Sequence, residues 1–252
     1  MNILAFFAHP DDETMLAGGT LALLAQQGAQ VHYLCATRGE GGEAGEPPLC
    51  TLEELGAVRS RELACAVAAL GGASLTYLGY VDPRVGPDNT LYPFAEDPAE
   101  VTRQLIEQIR RVRADALISH GSSGEYGHPA HKLAHQTALA AIEQMGSSAP
   151  LFYTVQAAFE GHPKPRLANA EDPAHLVFSI KRVLPAKIQA TLCHATQHAL
   201  FVRSAEKQLG HPVTVPEVVT QVESLHRVYP PVDPRVDQRV EDALADLIRK
   251  GE

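Results

Sequence analysis

Two short stretches of the 252-residue chain concentrate side chains that bind cations and move protons: "AHPDDE" at residues 8–13 and "SGEYGHPAHKLAH" at residues 123–135. In the first, Pro10 fixes the backbone between His9 and Asp12, and Asp11, Asp12 and Glu13 follow one another as consecutive acids. A helix start accounts for one or two acids, because carboxylates there meet free N–H groups and the macrodipole, but it leaves His9 unexplained. Adjacent carboxylates repel one another unless a cation holds them. An imidazole nitrogen with a carboxylate oxygen suits zinc or a similar divalent ion, whereas an all-oxygen set would suit magnesium or calcium. In the second stretch Gly127 permits a sharp turn, Pro129 suits the first helical position, and His128 and His131 flank that position. A lone histidine pair at a turn is more often surface decoration. Two such clusters at equivalent strand ends are stronger, because a catalytic zinc needs three protein ligands and an open position, and these segments supply them with acids and a histidine to spare.

Both stretches follow apolar runs that read as strands. Ile3 to Ala8 suits a strand covered on both faces, and a helix from about Asp12 to Gln27 ends at Gly28. Gln30 to Ala36 is a second strand, followed by the loop "TRGEGGEAGEPP" and a helix from about Leu52 to Leu70 stopped by Gly71-Gly72. A strand at Leu75 to Leu78, a proline-rich loop, a helix from about Pro98 to Arg113 and the strand "DALISH" complete the repeated unit. This βαβα alternation predicts a Rossmann-like α/β fold, a mostly parallel β-sheet flanked by helices with its ligand crevice at the carboxyl ends of the strands. His9, Thr37, Tyr80 and His120 fall at or just past such ends. Beyond Leu151 the pattern loosens into strands at 151–157 and 175–180, a helix near 186–197 and a terminal helix from about Pro234 to Lys250. With no repeat and no linker, a single domain is expected over residues 1–252: a βα core to about 150 and a variable C-terminal cap over the site.

The net charge of −9 and the lack of a basic stripe with interleaved aromatics speak against nucleic acid as a partner. No apolar run approaches the roughly 20 residues of a bilayer span. The N-terminal run lacks a basic flank and is cut by His9 and Asp11, so a signal peptide is not expected and a cytoplasmic location is. Cys35, Cys50, Cys65 and Cys193 form no C-x-x-C pair, which argues against a thiolate zinc site and against a disulfide framework. Most are expected to be buried small hydrophobes. Among twelve histidines, His32, His162, His175, His194, His198, His211 and His226 show no partner pattern and read as structural or exposed, while His120 and His135 could approach the site.

"AHPDDE" near the N-terminus with "YGHPAH" in mid-chain resembles the PIG-L/LmbE family of zinc-dependent N-acetylglucosamine deacetylases, whose second motif is usually His-Pro-Asp-His. "TRGEGGE", "RSRELACAVAALGG" and "LGYVD" extend the resemblance over about the first two thirds of the chain, and "KIQATLCHATQ" is a weaker echo. The resemblance implies His9, Asp12 and His131 as ligands of Zn2+, or of another divalent metal such as Fe2+. It makes Asp11 the general base, sets His128 and Tyr126 near the developing oxyanion, and gives Glu43, Arg59 and Asp82 to the sugar. Glu13 has no metal role in the family and reads as a helix-start or supporting group. The implied reaction is attack of activated water on an acetamide carbonyl, with the amine leaving on a proton from Asp11 or His128, giving acetate and a free amino sugar. The implied partner is a small N-acetylated amino sugar, with no nucleic acid or membrane; a homo-oligomer is left open.

Blander readings stand beside these. Glu40 and Glu43 could simply solvate a glycine-rich loop, and Arg59 could pair with Glu62 on a helix surface. Ala130 stands where the family usually has Asp, which removes the carboxylate expected to orient His128 and weakens His128 as an acid. That weakening is avoided if Ala130 faces the surface or if another group, such as Glu125, supports His128. The rival functions are an amidase acting on a thiol-sugar conjugate and a non-catalytic sugar-binding protein on the same fold. A dinucleotide-binding oxidoreductase would need G-x-G-x-x-G where this chain has "HPDDETMLAGG". The aglycone is not specified: a thiol precursor sugar, a chitooligosaccharide or another glycoconjugate all fit.

Overall fold

The apolar run at the N-terminus forms strand β1 (Asn2–Phe7), whose alternate residues serve opposite faces of the sheet: Ile3, Ala5 and Phe7 pack on one side, Leu4 and Phe6 on the other. The computed structural model describes residues 1–232 and 240–251. After β1 come α1 (Asp12–Gln26), β2 (Gln30–Cys35), α2 (Leu55–Ala69), β3 (Ser74–Tyr77), α3 (Pro98–Val112), β4 (Ala116–Ser119), α4 (Pro129–Met145) and β5 (Leu151–Val155). The later part adds β6 (Ala157–Ala158), β7 (Asn169–Pro173), β8 (Leu176–Ser179), α5 (Leu184–Cys193), α6 (His198–Leu209), β9 (Val222–Tyr229) and α7 (Ala243–Gly251).

The main sheet has the order β3-β2-β1-β4-β5-β9-β8, and a small second sheet pairs β6 with β7. β1 runs parallel to β2 and β4, and β5 runs parallel to β4, so the Rossmann-like α/β architecture is present as expected. The strand order changes direction between β1 and β4, and such a switch point opens a crevice outside the carboxyl ends of the two strands. His9 follows β1 and His120 follows β4, so both stand at the crevice.

The last third of the chain extends the sheet itself: β9 joins the main sheet antiparallel to β5 and carries β8 on its outer edge. β9 was hidden from the apolar pattern by a buried glutamate. Glu223 accepts hydrogen bonds from the backbone N–H groups of Gly19 and Thr20 and from Lys187 Nζ at 2.6 Å, all inside the protein. A Cβ at Gly19 would lie 2.7 Å from Ile180, so glycine is what lets α1 approach this segment. The helix expected near 186–197 ends at Cys193, and a short 3-10 turn (Ala195–Gln197) leads into α6, which the sequence pattern did not reveal. The terminal helix expected from Pro234 lies partly outside the described residues; within them it is α7. No helix among the described residues is long and apolar enough to cross a membrane.

One expectation is overturned. Cys65 on α2 and Cys193 at the end of α5 form a disulfide, with Cα atoms 5.7 Å apart and a sequence separation of 128. Helix packing brings them together, and so distant a pair leaves no local spacing to read. Cys35 is buried and free, and Cys50 is free and partly exposed. A cross-link closing so long a loop restricts the unfolded chain strongly, so Cys193→Ser or reduction should lower the unfolding free energy by about 2–4 kcal/mol. Urea denaturation with and without reductant measures this; coincident curves would show that the bond contributes nothing.

Candidate metal and catalytic site

The turn from β1 into α1 holds Asp11 at φ 110°, a left-handed conformation that non-glycine residues adopt only when their surroundings enforce it. Three side chains enforce it here. Glu13 Oε2 accepts the Asp11 N–H at 2.9 Å, and Asp12 Oδ2 accepts the His9 N–H at 2.9 Å. Arg59 Nη2 donates to the Pro10 carbonyl and to Asp11 Oδ2 at 3.2 Å, while Nη1 donates to the Gly39 carbonyl at 2.9 Å. Arg59 is only 3% exposed, so it points inward from α2 and does not pair with Glu62, whose carboxylate accepts from Thr196 instead. Gly39, at φ 71°, makes room for the guanidinium: a Cβ there would lie 2.2 Å from Arg59 Nη1.

The second cluster is built where β4 hands over to α4. Pro129 takes the first helical position, and His128 caps the helix, its Nδ1 accepting the Ala130 N–H at 3.1 Å. In neutral His128 the proton therefore sits on Nε2. Glu125 Oε2 receives both His131 Nδ1 at 2.7 Å and His120 Nδ1 at 3.0 Å. His120 Nε2 accepts the Ala8 N–H at 3.0 Å, which commits both of its nitrogens.

His131 is different. Its Nδ1–H is given to Glu125, and its Nε2, buried and without a hydrogen-bond partner, faces Asp12 Oδ1 at 3.2 Å. His9 Nδ1 lies 3.3 Å from Asp12 Oδ2, and His9 Nε2 lies 3.3 Å from Asp82 Oδ1. The rings of His128 and His131 stack with centroids 4.6 Å apart, and those of His9 and His131 are separated by 5.4 Å.

The charges in this cluster are coupled. Burial opposes ionisation of His9, yet Asp12 and Asp82 overcome it and raise its pKa to about 9. Burial likewise opposes His131, yet Asp12 and Glu125 raise it to about 10. Burial would raise the Asp12 carboxyl, but His131 and His120 hold it well below the usual carboxylate range. A divalent cation could join these nitrogen and oxygen atoms directly. The orphaned Nε2 of His131, the Asp12 carboxylate and His9 form a nitrogen–oxygen set of the kind zinc takes, so the residues fit such an ion. Two compact groups have ligand atoms within 4.8 Å of one another, His9–His128–His131 and Asp12–His120–His131; the expected set of His9, Asp12 and His131 spans both and shares His131.

Burial pushes the Asp11 carboxyl up to about 6, against the pull of Arg59, so it is poised to exchange protons near neutrality. His128 is lowered to about 3 by burial and by the neighbouring charges of His9 and His131. Its Nδ1 is already taken by the Ala130 N–H, so the neutral imidazole donates from Nε2. Tyr126, 56% exposed, stands edge-on to His128 and His131. Asp82 is gathered into the cluster through His9, whereas Glu43 is forked by Arg203 at 2.7 and 2.8 Å on the surface.

Two partners were not foreseen. His194, read as structural or exposed, is structural: it is buried with Nε2 3.0 Å from Glu13 Oε1, on the carboxylate that holds Asp11. Its only sequence signal is its place in the weak "KIQATLCHATQ" echo. Glu125, weighed as a support for His128, instead holds His120 and His131.

A Rossmann-like sheet with histidines and aspartates at its switch point, beside a strained carboxylate, defines a class of α/β proteins compatible with a divalent metal and with acid–base chemistry. The PIG-L family, described as GlcNAc-PI de-N-acetylase, matches residues 4–142, and the chain belongs to this family. A 1D-myo-inositol 2-acetamido-2-deoxy-alpha-D-glucopyranoside deacetylase of Rhodococcus opacus (strain B4) is 31% identical, with 87% of this chain and 89% of that protein covered. A probable N-acetyl-alpha-D-glucosaminyl L-malate deacetylase 2 of Bacillus anthracis is 32% identical, with 84% and 88% covered. Among solved structures, N,N'-diacetylchitobiose deacetylase from Pyrococcus horikoshii shares the fold with a TM-score of 0.62 and 19% identity, over 94% of this chain and 88% of that one. GalB, the 4-carboxy-2-hydroxymuconate hydratase of Pseudomonas putida KT2440, does so with a TM-score of 0.62 and 23% identity over 92% and 98%, so the fold alone does not fix the reaction.

Ala130 faces the core and not the surface: it is 0% exposed and packs in the cluster that α3 and α4 form over the sheet. Ala130→Asp would put a carboxylate into an apolar cluster and should destabilise the fold by about 3–5 kcal/mol. Chemical denaturation at neutral pH is the measurement. An unchanged midpoint would mean that the site can accommodate the carboxylate the family usually carries there.

Proposed function

We propose that the chain is a metal-dependent N-deacetylase, with zinc as the metal, that hydrolyses the N-acetyl group of an N-acetylglucosamine conjugate to acetate and a free amino sugar. The observation that carries this reading is the buried, unpartnered Nε2 of His131 facing the Asp12 carboxylate, beside a strained and basic Asp11. Membership of the PIG-L family and the deacetylase names of its relatives support it.

His9, Asp12 and His131 would hold the ion. A bound divalent cation supplies Lewis acidity, which polarises an amide carbonyl and makes water a better acid. Asp11, kept in place by Arg59 and Glu13, takes the proton of the attacking water and carries it to the departing amine. His128 Nε2–H and the Tyr126 hydroxyl are the donors for the developing oxyanion. Arg59 acts on the loop and Asp11, so its contribution to sugar binding is indirect. Asp82 is placed beside His9 where a sugar hydroxyl can reach it, and Glu43 would meet the sugar only by parting from Arg203.

The partner in this reading is a small N-acetylated amino sugar, with no nucleic acid, and the place of action is the cytoplasm. The relatives act on inositol-linked and malate-linked N-acetylglucosamine, so conjugates of both kinds belong in a substrate panel.

Acetate release from such a panel, measured on zinc-reconstituted protein, separates the readings: an amidase on a thiol-sugar conjugate releases a different acid, and a sugar-binding protein releases none. His131→Ala should lose the metal. Asp11→Asn should keep it and lose about 10²- to 10⁴-fold in kcat, because an amide cannot take the proton from water. Acetate release at the normal rate by Asp11→Asn would remove Asp11 from the mechanism.

The same base sets the pH dependence. Asp11 must be ionised to act, so kcat/KM should fall as pH drops through its pKa. A cation beside Asp12 would draw that value down, which places the acidic limb at or below about 6. An acidic limb well above that value would point to a different base.

A further inference from the structure

We infer that Glu125 is the positioning residue of the metal site, fixing the ligand nitrogen of His131, and that Asn169 of β7 holds Glu125 to this task. The inference rests on the metal-site reading above and deepens it.

The Glu125 side chain is 0% exposed, and a carboxylate is tolerable there only because every direction around it is filled with donors. Oε2 receives His131 Nδ1 and His120 Nδ1, and Oε1 receives the Gly121 N–H at 3.0 Å and Asn169 Nδ2 at 3.3 Å. The consequence for His131 is chemical as well as steric. With Nδ1–H bound to an anion, the proton cannot move to Nε2 in the neutral ring, so Nε2 keeps its lone pair toward Asp12 and becomes a stronger donor to a metal. Through His120, whose Nε2 takes the Ala8 N–H, the same carboxylate also ties the end of β4 to the end of β1, from which His9 projects.

Position 130 cannot do this work in the present chain. Ala130 carries no acid, is enclosed in the core, and gives its N–H to His128.

The Glu125 loop needs outside help, because Glu125 has φ 56°. Asn169 supplies it. Its Oδ1 accepts the Glu125 N–H at 3.1 Å and Ser123 Oγ at 2.7 Å, while its Nδ2 also donates to the Val155 carbonyl at 2.9 Å. Gly121 is what allows this approach, since a Cβ there would come within 2.0 Å of Asn169 Nδ2. A residue far along the chain thereby sets the geometry of a metal ligand.

The test is the zinc dissociation constant, measured by competition with a chromophoric chelator on folded, metal-stripped protein. Glu125→Gln puts an amide NH2 among N–H donors and removes the charge. It should weaken zinc binding about 10- to 100-fold, the usual cost of losing a group that orients a ligand. Asn169→Ala should act in the same direction by a smaller factor. Glu62→Gln is the control for general loosening, because Glu62 is a buried carboxylate that anchors Thr196 and touches none of the proposed ligands; its zinc affinity should stay unchanged. Normal affinity in folded Glu125→Gln overturns the inference, as does an equal loss in Glu62→Gln. If Glu125→Gln does not fold, Asn169→Ala decides, and normal affinity there overturns it. Failure of the underlying reading looks different: the unsubstituted chain would take up no zinc, or His131→Ala would keep it, and the inference would fall with the site.

Discussion

Carboxylates and imidazoles crowd together in a buried space at the carboxyl ends of β1 and β4, and charge in such a space has to be neutralised by partners or by a cation. Asp12 illustrates the constraint: it sits between His9 and His131, each close enough to share a proton with it. Asp12 and Asp82 raise the pKa of His9, and Asp12 and Glu125 that of His131, despite burial. A divalent ion would offer the same atoms one shared partner. The strained turn at Asp11, the inward Arg59 and the buried Glu125 all follow from keeping those groups close without letting them separate or fill with water.

The same constraint gives the last third of the chain its role. Buried ties run from it to the site segments, His194 to Glu13 and Asn169 to Glu125, and to helix α2, Thr196 to Glu62, with Lys187 and Glu223 securing α1 itself. These are polar contacts in the interior, where each is strong and each is costly to break. They make the site loops rigid from the far side. The disulfide between Cys65 and Cys193 joins the same two regions, α2 and the end of α5.

How much of this was legible in the sequence depended on distance along the chain. His9 and Asp12, and His128 and His131, could be read because each pair lies within one turn and follows an apolar strand run. The alternation of strands and helices in the first half was readable for the same local reason. Glu125 to Asn169, Ala8 to His120 and Glu13 to His194 span 44, 112 and 181 residues, and no spacing rule reaches so far. β9 escaped notice because Glu223 and Ser224 are buried polar residues inside the strand, so its pattern is not that of an apolar run. Arg59 was given to the sugar by resemblance, with a surface pair on its own helix as the bland alternative, and only the fold shows that it turns to the Asp11 loop.

The central claim is that a single divalent ion is held by His131 Nε2, the Asp12 carboxylate and His9, with Asp11 left free to move protons. Anomalous diffraction from crystals of the zinc-loaded protein tests this most directly. The account predicts one strong peak at the switch point, about 2.0–2.2 Å from His131 Nε2, an Asp12 oxygen and a His9 nitrogen, with Asp11 outside bonding distance. A peak bound through His120 or Asp11, or one that leaves His131 Nε2 without the ion, would contradict it.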